Sequence, residues 1–363
     1  MTLTELETWL RETDSSRLET LWAEADRVRR EHVGDEVHLR GLVEISNYCA
    51  RLCGYCGLRA DHVDLPRYRM EAAEILECAR QAVAYGYGTV VLQAGEDYGI
   101  TREWLAEVVR RIKAETPLAV TLSLGERPEA DLVAWREAGA NRYLLRFETS
   151  DPELYARIHP PLPGEVWRDR FEILARLREL GYEVGSGVMI GIPGQSYASL
   201  ARDIATFENL DLDMIGVGPW LPHPATPLGV ERGTWNVENG ERPTEGNTGE
   251  TPVPPDQVPN TEDMTYKVVA LTRLVCPEAN LPSTTALATL NKESGRELGL
   301  SRGANVVMPN LTPVKYRALY EIYPDKACIN ETAEACQLCL SGRIHSIGRR
   351  VGQGPGGRQR RGG

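Results

Sequence analysis

From residue 38 to residue 321 the chain alternates between short runs of strand character and longer runs with helical periodicity. No other feature restricts the fold as much. Predicted strands cover 38–46, 89–93, 119–124, 142–147, 184–190, 214–217, 281–285 and 305–308. Predicted helices cover about 71–86, 102–115, 128–138, 165–180, 197–209, 262–275, 293–300 and 312–321. Strands separated by helices pair in parallel, and eight such units predict an α/β fold, a closed (β/α)8 TIM-type barrel. Chemistry in such a barrel sits in the loops at the C-terminal ends of the strands.

Four other segments flank or interrupt this core. Residues 1–36 form a helical lead-in: Leu3, Leu6, Trp9 and Leu10, then Leu18, Leu21, Trp22 and Ala25, recur at helical spacing, with a break at Asp14-Ser15-Ser16. The barrel spans 37–323, and a Gly-, Pro-, Thr- and acid-rich stretch at 231–260 reads as a flexible insertion. A cysteine-bearing segment follows at 324–348, and the Arg/Gly-rich end, 349–363, reads as a disordered tail. At 42% hydrophobic residues the chain can bury a large core, and no run of 18 apolar residues suggests a membrane span. A net charge of −11 argues against a nucleic-acid partner. Six of the eight cysteines fall in two tight clusters, which suits metal ligands in a reducing cytoplasm better than a disulfide framework.

The first cluster, Cys49-Ala-Arg-Leu-Cys53-Gly-Tyr-Cys56, lies just after the first predicted strand. A protein-only zinc site needs four ligands, and the next thiol, Cys78, is isolated in a predicted helix. Three thiolates on one loop suit three irons of a 4Fe-4S cube, with the fourth iron open to an outside ligand. A zinc clip or three unrelated buried thiols are the plainer alternatives. Gly54 would let the backbone approach inorganic sulfide, and Tyr55 would set a ring beside the open corner.

Later strand ends carry further polar residues. Gln93-Ala94-Gly95-Glu96-Asp97 follows the second strand, a small-residue turn with an acid that suits a cationic amine. Thr121 and Ser123 share one face of the third strand, and inside a barrel they need partners, from a ligand or from one another. Arg142, Arg146 and Glu148 share one face of the fourth, as anion-binding groups or as an internal salt-bridge network. Gly191 and Ile192 end the fifth strand, Thr284 and Thr285 the seventh, and His223 sits after the sixth, more plausibly structural than a ligand. The second thiol cluster, Cys328, Cys336 and Cys339, suits an auxiliary iron–sulfur cluster, 2Fe-2S or 4Fe-4S, with zinc as the alternative. Cys78 and Cys276 read as buried core thiols.

The cysteine spacing, with an aromatic residue before the third thiol, resembles the signature of the radical S-adenosylmethionine (SAM) enzymes. Across nearly the whole chain the sequence is similar to the HydE-type maturases of iron-iron hydrogenase, in the biotin synthase-like branch. The similarity is carried by Asn47-Tyr-Cys49, Cys56-Gly-Leu-Arg59, Arg67-Tyr68-Arg69-Met70, Leu92-Gln93-Ala-Gly-Glu96-Asp97 and 120–126. It continues through Arg142-Tyr-Leu-Leu-Arg146, Gly218-Pro, Pro222-His-Pro, Thr284-Thr285-Ala286 and 303–310. Departures are the 231–260 insertion and Phe147 between Arg146 and Glu148.

The resemblance implies an enzyme that binds SAM at the open iron and cleaves it reductively to a 5′-deoxyadenosyl radical. It implies that Tyr55, Gly95, Glu96, Ser123, Glu148, Arg170 and Ile192 contact SAM. Thr121, Arg142, Arg146, Thr284, Thr285 and Tyr316 would hold a small, sulfur-containing, cysteine-ligated iron substrate. A ferredoxin- or flavodoxin-type electron donor and the other hydrogenase maturases are the implied partners. Rival readings are methylornithine synthase, whose substrate carboxylate the arginines could hold, and a non-catalytic iron–sulfur carrier. Biotin synthase needs cysteines on the inner strands, and the predicted strands have none.

Overall fold

The computed structural model describes residues 1–162, 164, 168–231, 256–327, 329 and 333–360, without the side chains of Ala335, Cys336 and Leu338. Two helices lead in, α1 (Leu3–Arg11) and α2 (Ser15–Val33), and then strands and helices alternate. These are β1 (Glu36–Ser46), α3 (Ala72–Ala84), β2 (Thr89–Ala94), α4 (Arg102–Glu115), β3 (Ala119–Ser123), α5 (Glu129–Glu137) and β4 (Arg142–Leu144). After α6 (Pro152–Ile158) and α7 (Arg170–Glu179) come β5 (Glu183–Ile190), α8 (Tyr197–Asn209) and β6 (Met214–Pro219). The remainder comprises α9 (Pro227–Glu231), α10 (Glu262–Val275), α11 (Thr285–Leu290), α12 (Gly295–Ser301), β7 (Val306–Val307), α13 (Val314–Arg317), α14 (Ala333–Ser346) and β8 (Arg350–Val351).

All the strand pairings are parallel, in the order β6-β5-β4-β3-β2-β1-β7, with β8 beside β1. Between β6 and β7 the ring is joined by two isolated bridges, Met214 to Asn280 and Pro282 to Val306. The predicted strand at 281–285 is therefore not a strand. Pro282 has no N–H to extend a ladder, and Thr284 instead caps α11 through Leu287 N at 3.4 Å. The predicted fourth strand is also cut short: β4 ends at Leu144, Phe147 N donates to the Ser186 hydroxyl at 3.2 Å, and Glu148, at φ 65°, meets β5 again through an isolated bridge to Val188.

The lead-in follows the expected capping chemistry. Thr2 and Glu5 form a capping box at the start of α1, and the Asp14 side chain accepts from Arg17 N at 3.0 Å to start α2. Leu6, Leu10, Leu21 and Trp22 are buried, with α1 against α8 and α2 against α10. Of the expected 231–260 insertion, 232–255 lie outside the described residues. Its end is packed: Val258 N donates to Gln195 O at 2.9 Å, and Asn260 Nδ2 to Trp220 O at 2.8 Å.

The tail is not disordered through residue 360. β8 adds to the start of β1, and residues 352–360 run across the N-terminal mouth of the barrel. Pro355 O accepts from Thr89 Oγ1 and Arg142 Nη2, each at 3.0 Å, and Gly356 O accepts from Arg40 Nη2 at 2.9 Å. Arg358 and Arg360 pair with Asp211 at 2.5 and 2.6 Å. A Cβ on Gly88 would stand 1.7 Å from Gly354 O, so the strand and the tail touch backbone to backbone. No periodicity announces this contact, because backbone carbonyls meeting buried arginines make it.

Removing residues 352–363 takes carbonyl partners from two buried guanidinium groups, each such bond being worth about 1.5–3 kcal/mol. The truncated protein is expected to lose roughly 2–4 kcal/mol of unfolding free energy. Urea unfolding of both chains measures this, and equal midpoints would show that the tail does not bind the barrel in solution.

Candidate active site

The cysteine loop leaves β1 at Ser46 and is clamped from several sides. Asn47 Nδ2 donates to Pro66 O and Leu319 O, both at 2.8 Å. Arg67 donates to Asn47 O at 2.6 Å, to Leu58 O and Arg59 O at 2.8 Å each, and to His62 O at 3.2 Å. One guanidinium thus ties both ends of the thiol loop. Gly54 N donates to Ile158 O at 2.8 Å and Gly57 N to Ile322 O at 3.1 Å. Gly57 is needed there, since a Cβ would lie 2.2 Å from Glu321 O. At Gly54 a Cβ would meet Leu228 at 3.4 Å and Arg157 O at 3.9 Å, ordinary contacts, so packing within the chain does not demand that glycine.

Burial raises all three thiols, Cys56 to about 12, and at Cys53 the neighbouring Cys49 and Cys56 sulfurs add to the effect. Without iron they are neutral, and binding iron is what makes them thiolates. Among the described residues no three His, Cys, Asp or Glu side chains converge as ligands of one ion would. Thiolates on three corners of a cube need no such convergence. Three buried thiols on one loop are a donor set that suits three irons of a 4Fe-4S cluster.

A chain of buried charges links this loop to the next strand ends. Arg51 donates to Glu96 Oε1 at 2.6 Å and to Glu126 Oε2 at 2.9 Å, and Glu126 N donates to Glu96 Oε2 at 3.0 Å. Arg170 Nε meets Glu126 Oε1 at 2.9 Å, while its Nη1 donates to Arg146 O at 2.6 Å. Burial opposes the charge on Arg51 and Arg170, yet their acidic and phenolic neighbours hold both pKa values above the usual one. Burial lifts Glu96 despite Arg51. A Cβ at Gly95 would stand 2.2 Å from Tyr48 O and 2.8 Å from Cys49 Cβ, so this glycine admits the cysteine loop.

Inside the strand ends lies a cavity of about 310 Å³, within the range for small-molecule sites. Tyr55, Cys56, Ser123, Glu148, Thr121, Arg146, Thr284 and Thr285 line it, so eight expected residues converge on one space. Arg146 Nε and Glu148 Oε2 stand 3.4 Å apart, and Arg146 Nη2 donates to Val188 O. Even so, Thr121 Oγ1, Arg146 Nε and Glu148 Oε2 are buried with no hydrogen-bond partner among the described residues. Orphaned donors and acceptors facing one cavity fit a polar ligand. Sequence reasoning did not anticipate Lys326, which reaches the same cavity and pairs there with Glu44.

Arg142 is not in this cavity. It opens β4, four residues before Arg146, which lies beyond the strand's end. It pairs with Glu183 at 2.7 Å and also bonds Thr89 and the tail. Tyr316 is outside as well, stacked on Tyr68 at 4.5 Å with its hydroxyl donating to Glu74 at 3.0 Å. Ile192 is packed with Leu154, Ile158, Met189, Trp220 and Leu228, an apolar cluster that Tyr55 covers. His223 is buried, and its Nδ1 accepts from Ala225 N at 3.1 Å. Cys328 and the Cys336 side chain lie outside the described residues, and Cys339 is exposed on α14.

The sequence reading missed His159, which is buried at the end of α6. Its Nδ1 lies 3.2 Å from Cys53 Sγ and its Nε2 lies 2.8 Å from the Tyr55 hydroxyl. Burial, aided by Arg170 and Arg51, drives its pKa well below the usual histidine value, so the ring is neutral. A lone His-Pro in a loop 106 residues from Cys53 gives no local signal of this contact.

A parallel barrel with three thiols after its first strand defines a class of enzyme, and residues 43–206 match the model of the radical SAM superfamily. The chain is 44% identical over 342 residues to the FeFe-hydrogenase maturase subunit HydE of Thermotoga maritima, covering 94% of this chain and 89% of that protein. It is 28% identical to 3-methylornithine synthase of Methanosarcina acetivorans, over 80% of this chain and 74% of that one. A crystal structure of methylornithine synthase superposes with a TM-score of 0.77 at 24% identity, covering 97% of this chain and 94% of that chain. The chain belongs to the HydE family of radical SAM enzymes.

The turn that carries Glu148 depends on Asp203, whose carboxylate accepts from Ser150 N at 2.5 Å and Ser150 Oγ at 2.6 Å. Burial lifts Asp203 to about 6 despite these bonds. Its folded pKa therefore exceeds the unfolded value of about 4, and the folded state holds the proton more tightly. The ionisation penalty is absent below about pH 4 and complete above about pH 6, so this group removes stability as pH rises through that window. Asp203→Asn is expected to flatten the fall in unfolding free energy between pH 4 and 6. Parallel curves for parent and variant would refute this.

Proposed function

We propose that the protein acts in assembly of the two-iron subcluster of iron-iron hydrogenase, on a sulfur-containing, cysteine-ligated iron precursor. The observation that carries this reading is the convergence of Arg146, Thr121, Thr284 and Thr285 on the cavity beside Cys56, in a chain of the HydE family. The Cys49, Cys53 and Cys56 thiolates hold the cluster, and Glu96, Ser123, Glu148 and Arg170 contact SAM. When bound, the cluster and SAM supply reductive cleavage of a C–S bond and a 5′-deoxyadenosyl radical.

The chain's own part is to bind, orient and exclude water. Arg146, whose Nε has no hydrogen-bond partner, offers its guanidinium to an anionic group of the substrate. Thr121 adds a hydroxyl with no hydrogen-bond partner among the described residues, and Thr285 lines the same cavity from the start of α11. Thr284 spends part of its hydroxyl on the α11 cap. Met189, Trp220, Leu221 and Met308 give part of the wall an apolar face, which limits water near a reactive centre.

Cys328, Cys336 and Cys339 would hold an auxiliary iron–sulfur cluster that takes no part in this chemistry. A ferredoxin- or flavodoxin-type protein donates the electron, and the other maturases receive the product in the cytoplasm.

Reconstituted, reduced protein is expected to convert SAM to 5′-deoxyadenosine, and Cys53→Ser to lose at least a hundredfold of that rate. With the iron–cysteine precursor the product should be an adenosylated cysteine, and Arg146→Met should raise KM at least tenfold, the loss of a charge-assisted bond of about 1.5–3 kcal/mol. Conversion of lysine to methylornithine, with the precursor left untouched, would replace this reading by the synthase. No cleavage of SAM by the parent would leave only an iron–sulfur carrier.

A further inference from the structure

We propose that His159 is a positioning residue for the cluster, donating from Nδ1–H to the Cys53 thiolate in a tautomer that the Tyr55 hydroxyl fixes. The distances are hydrogen-bonding ones: 3.2 Å from Nδ1 to Sγ, and 2.8 Å from Nε2 to the phenol oxygen. The ring cannot turn away. Tyr155 stacks on it at 4.8 Å and 17°, and Tyr55 meets it edge-on at 5.2 Å and 71°. Its backbone N–H is bonded to Tyr155 O at 2.8 Å, which ties the ring to α6.

The direction of the donors follows from the thiolate. An iron-bound cysteine carries no proton, so only an N–H on Nδ1 satisfies both atoms of that contact. A neutral imidazole with its proton on Nδ1 has a bare lone pair on Nε2, and the tyrosine hydroxyl is positioned to donate to it. The reverse tautomer would set two lone pairs against each other across 3.2 Å in a buried site. The resulting order is Tyr55 O–H to Nε2, then Nδ1–H to Cys53 Sγ. Tyr55 also lines the substrate cavity, so the relay runs from that cavity to a cluster ligand.

A hydrogen bond to a cluster sulfur favours the reduced, more negative state and raises the reduction potential. His159 would thereby set how readily the cluster takes its electron, without touching SAM or substrate. The inference rests on Cys53 holding an iron, and Cys53→Ser tests that separately through loss of cluster iron and of the cluster's EPR signal. Retention of both would remove the ground of the proposal.

The deciding measurement is an EPR-monitored redox titration of the full-length, iron-reconstituted protein. At equal iron content, His159→Phe is expected to shift the midpoint to a more negative potential. His159→Asn, whose side-chain amide can donate from near the place of Nδ1, is expected to restore most of the shift. A histidine that merely fills space predicts equal potentials for the parent and His159→Phe, and that result overturns the proposal. Should His159→Phe bind no iron, the parent labelled with 15N-histidine decides. Electron spin-echo modulation of its reduced cluster should show a 15N coupling that is missing from His159→Asn, and no coupling in the parent overturns the assignment.

Discussion

The interaction on which the rest of this structure depends is the buried run of charges from Arg51 through Glu96 and Glu126 to Arg170. These four side chains come from the loops after β1, β2 and β3 and from the start of α7, and Arg170 reaches on to the carbonyl of Arg146. Each charge is removed from water, which is costly unless every partner is in place. Here the pairing is complete, at 2.6 to 3.0 Å, and the carboxylates also accept from a backbone N–H and from Tyr98. The cost of losing any member makes the strand ends a single rigid unit. That rigidity is what a site for a reactive intermediate requires, since the thiols must hold a fixed position relative to the cavity.

The barrel beneath is polar at both ends for different reasons. At the top, the Thr121 hydroxyl has no hydrogen-bond partner among the described residues, and Arg146 Nε and Glu148 Oε2 share only an ion pair at 3.4 Å, a condition that a ligand in the cavity relieves. At the bottom, Arg142 is held by the chain itself, through Glu183 and the carbonyl of Pro355, while Arg40 donates to the carbonyl of Gly356 and keeps its Nε without a partner among the described residues. Arg40 also lines the cavity floor, so the tail seals the end of the space opposite the thiols. Two arginines four residues apart, one opening β4 and one beyond its end, thus serve opposite purposes. Arg146 is poised for an outside anion and Arg142 is spent on structure.

Much of this was legible from the residues alone. The alternation of strand and helix gave the parallel barrel, because burial on both faces of a parallel strand and on one face of a helix leaves periodicities that need no tertiary knowledge. The thiol spacing and the small-residue turn at Gly95 marked the site, since ligands on one loop stand close in sequence. Thr121 and Ser123 shared a face as their period of two required. Arg142 did not follow Arg146 into the site, because a strand has length as well as faces. Arg142 opens β4 at the bottom of the barrel, and Arg146 lies past the strand's end, at the top.

What the sequence determined by itself was therefore local: element type, the cysteine loop and the class of chemistry its three thiols imply. The tertiary structure decided everything that depends on chain segments meeting from afar. His159 reaches Cys53 across 106 residues and Lys326 reaches Glu44 across 282. The Arg/Gly tail becomes ordered only where the barrel offers Asp211, Asp213 and two buried arginines. Contacts of this kind are made by single side chains and by backbone carbonyls. Neither leaves a period or a spacing in the sequence, so only the folded chain shows them.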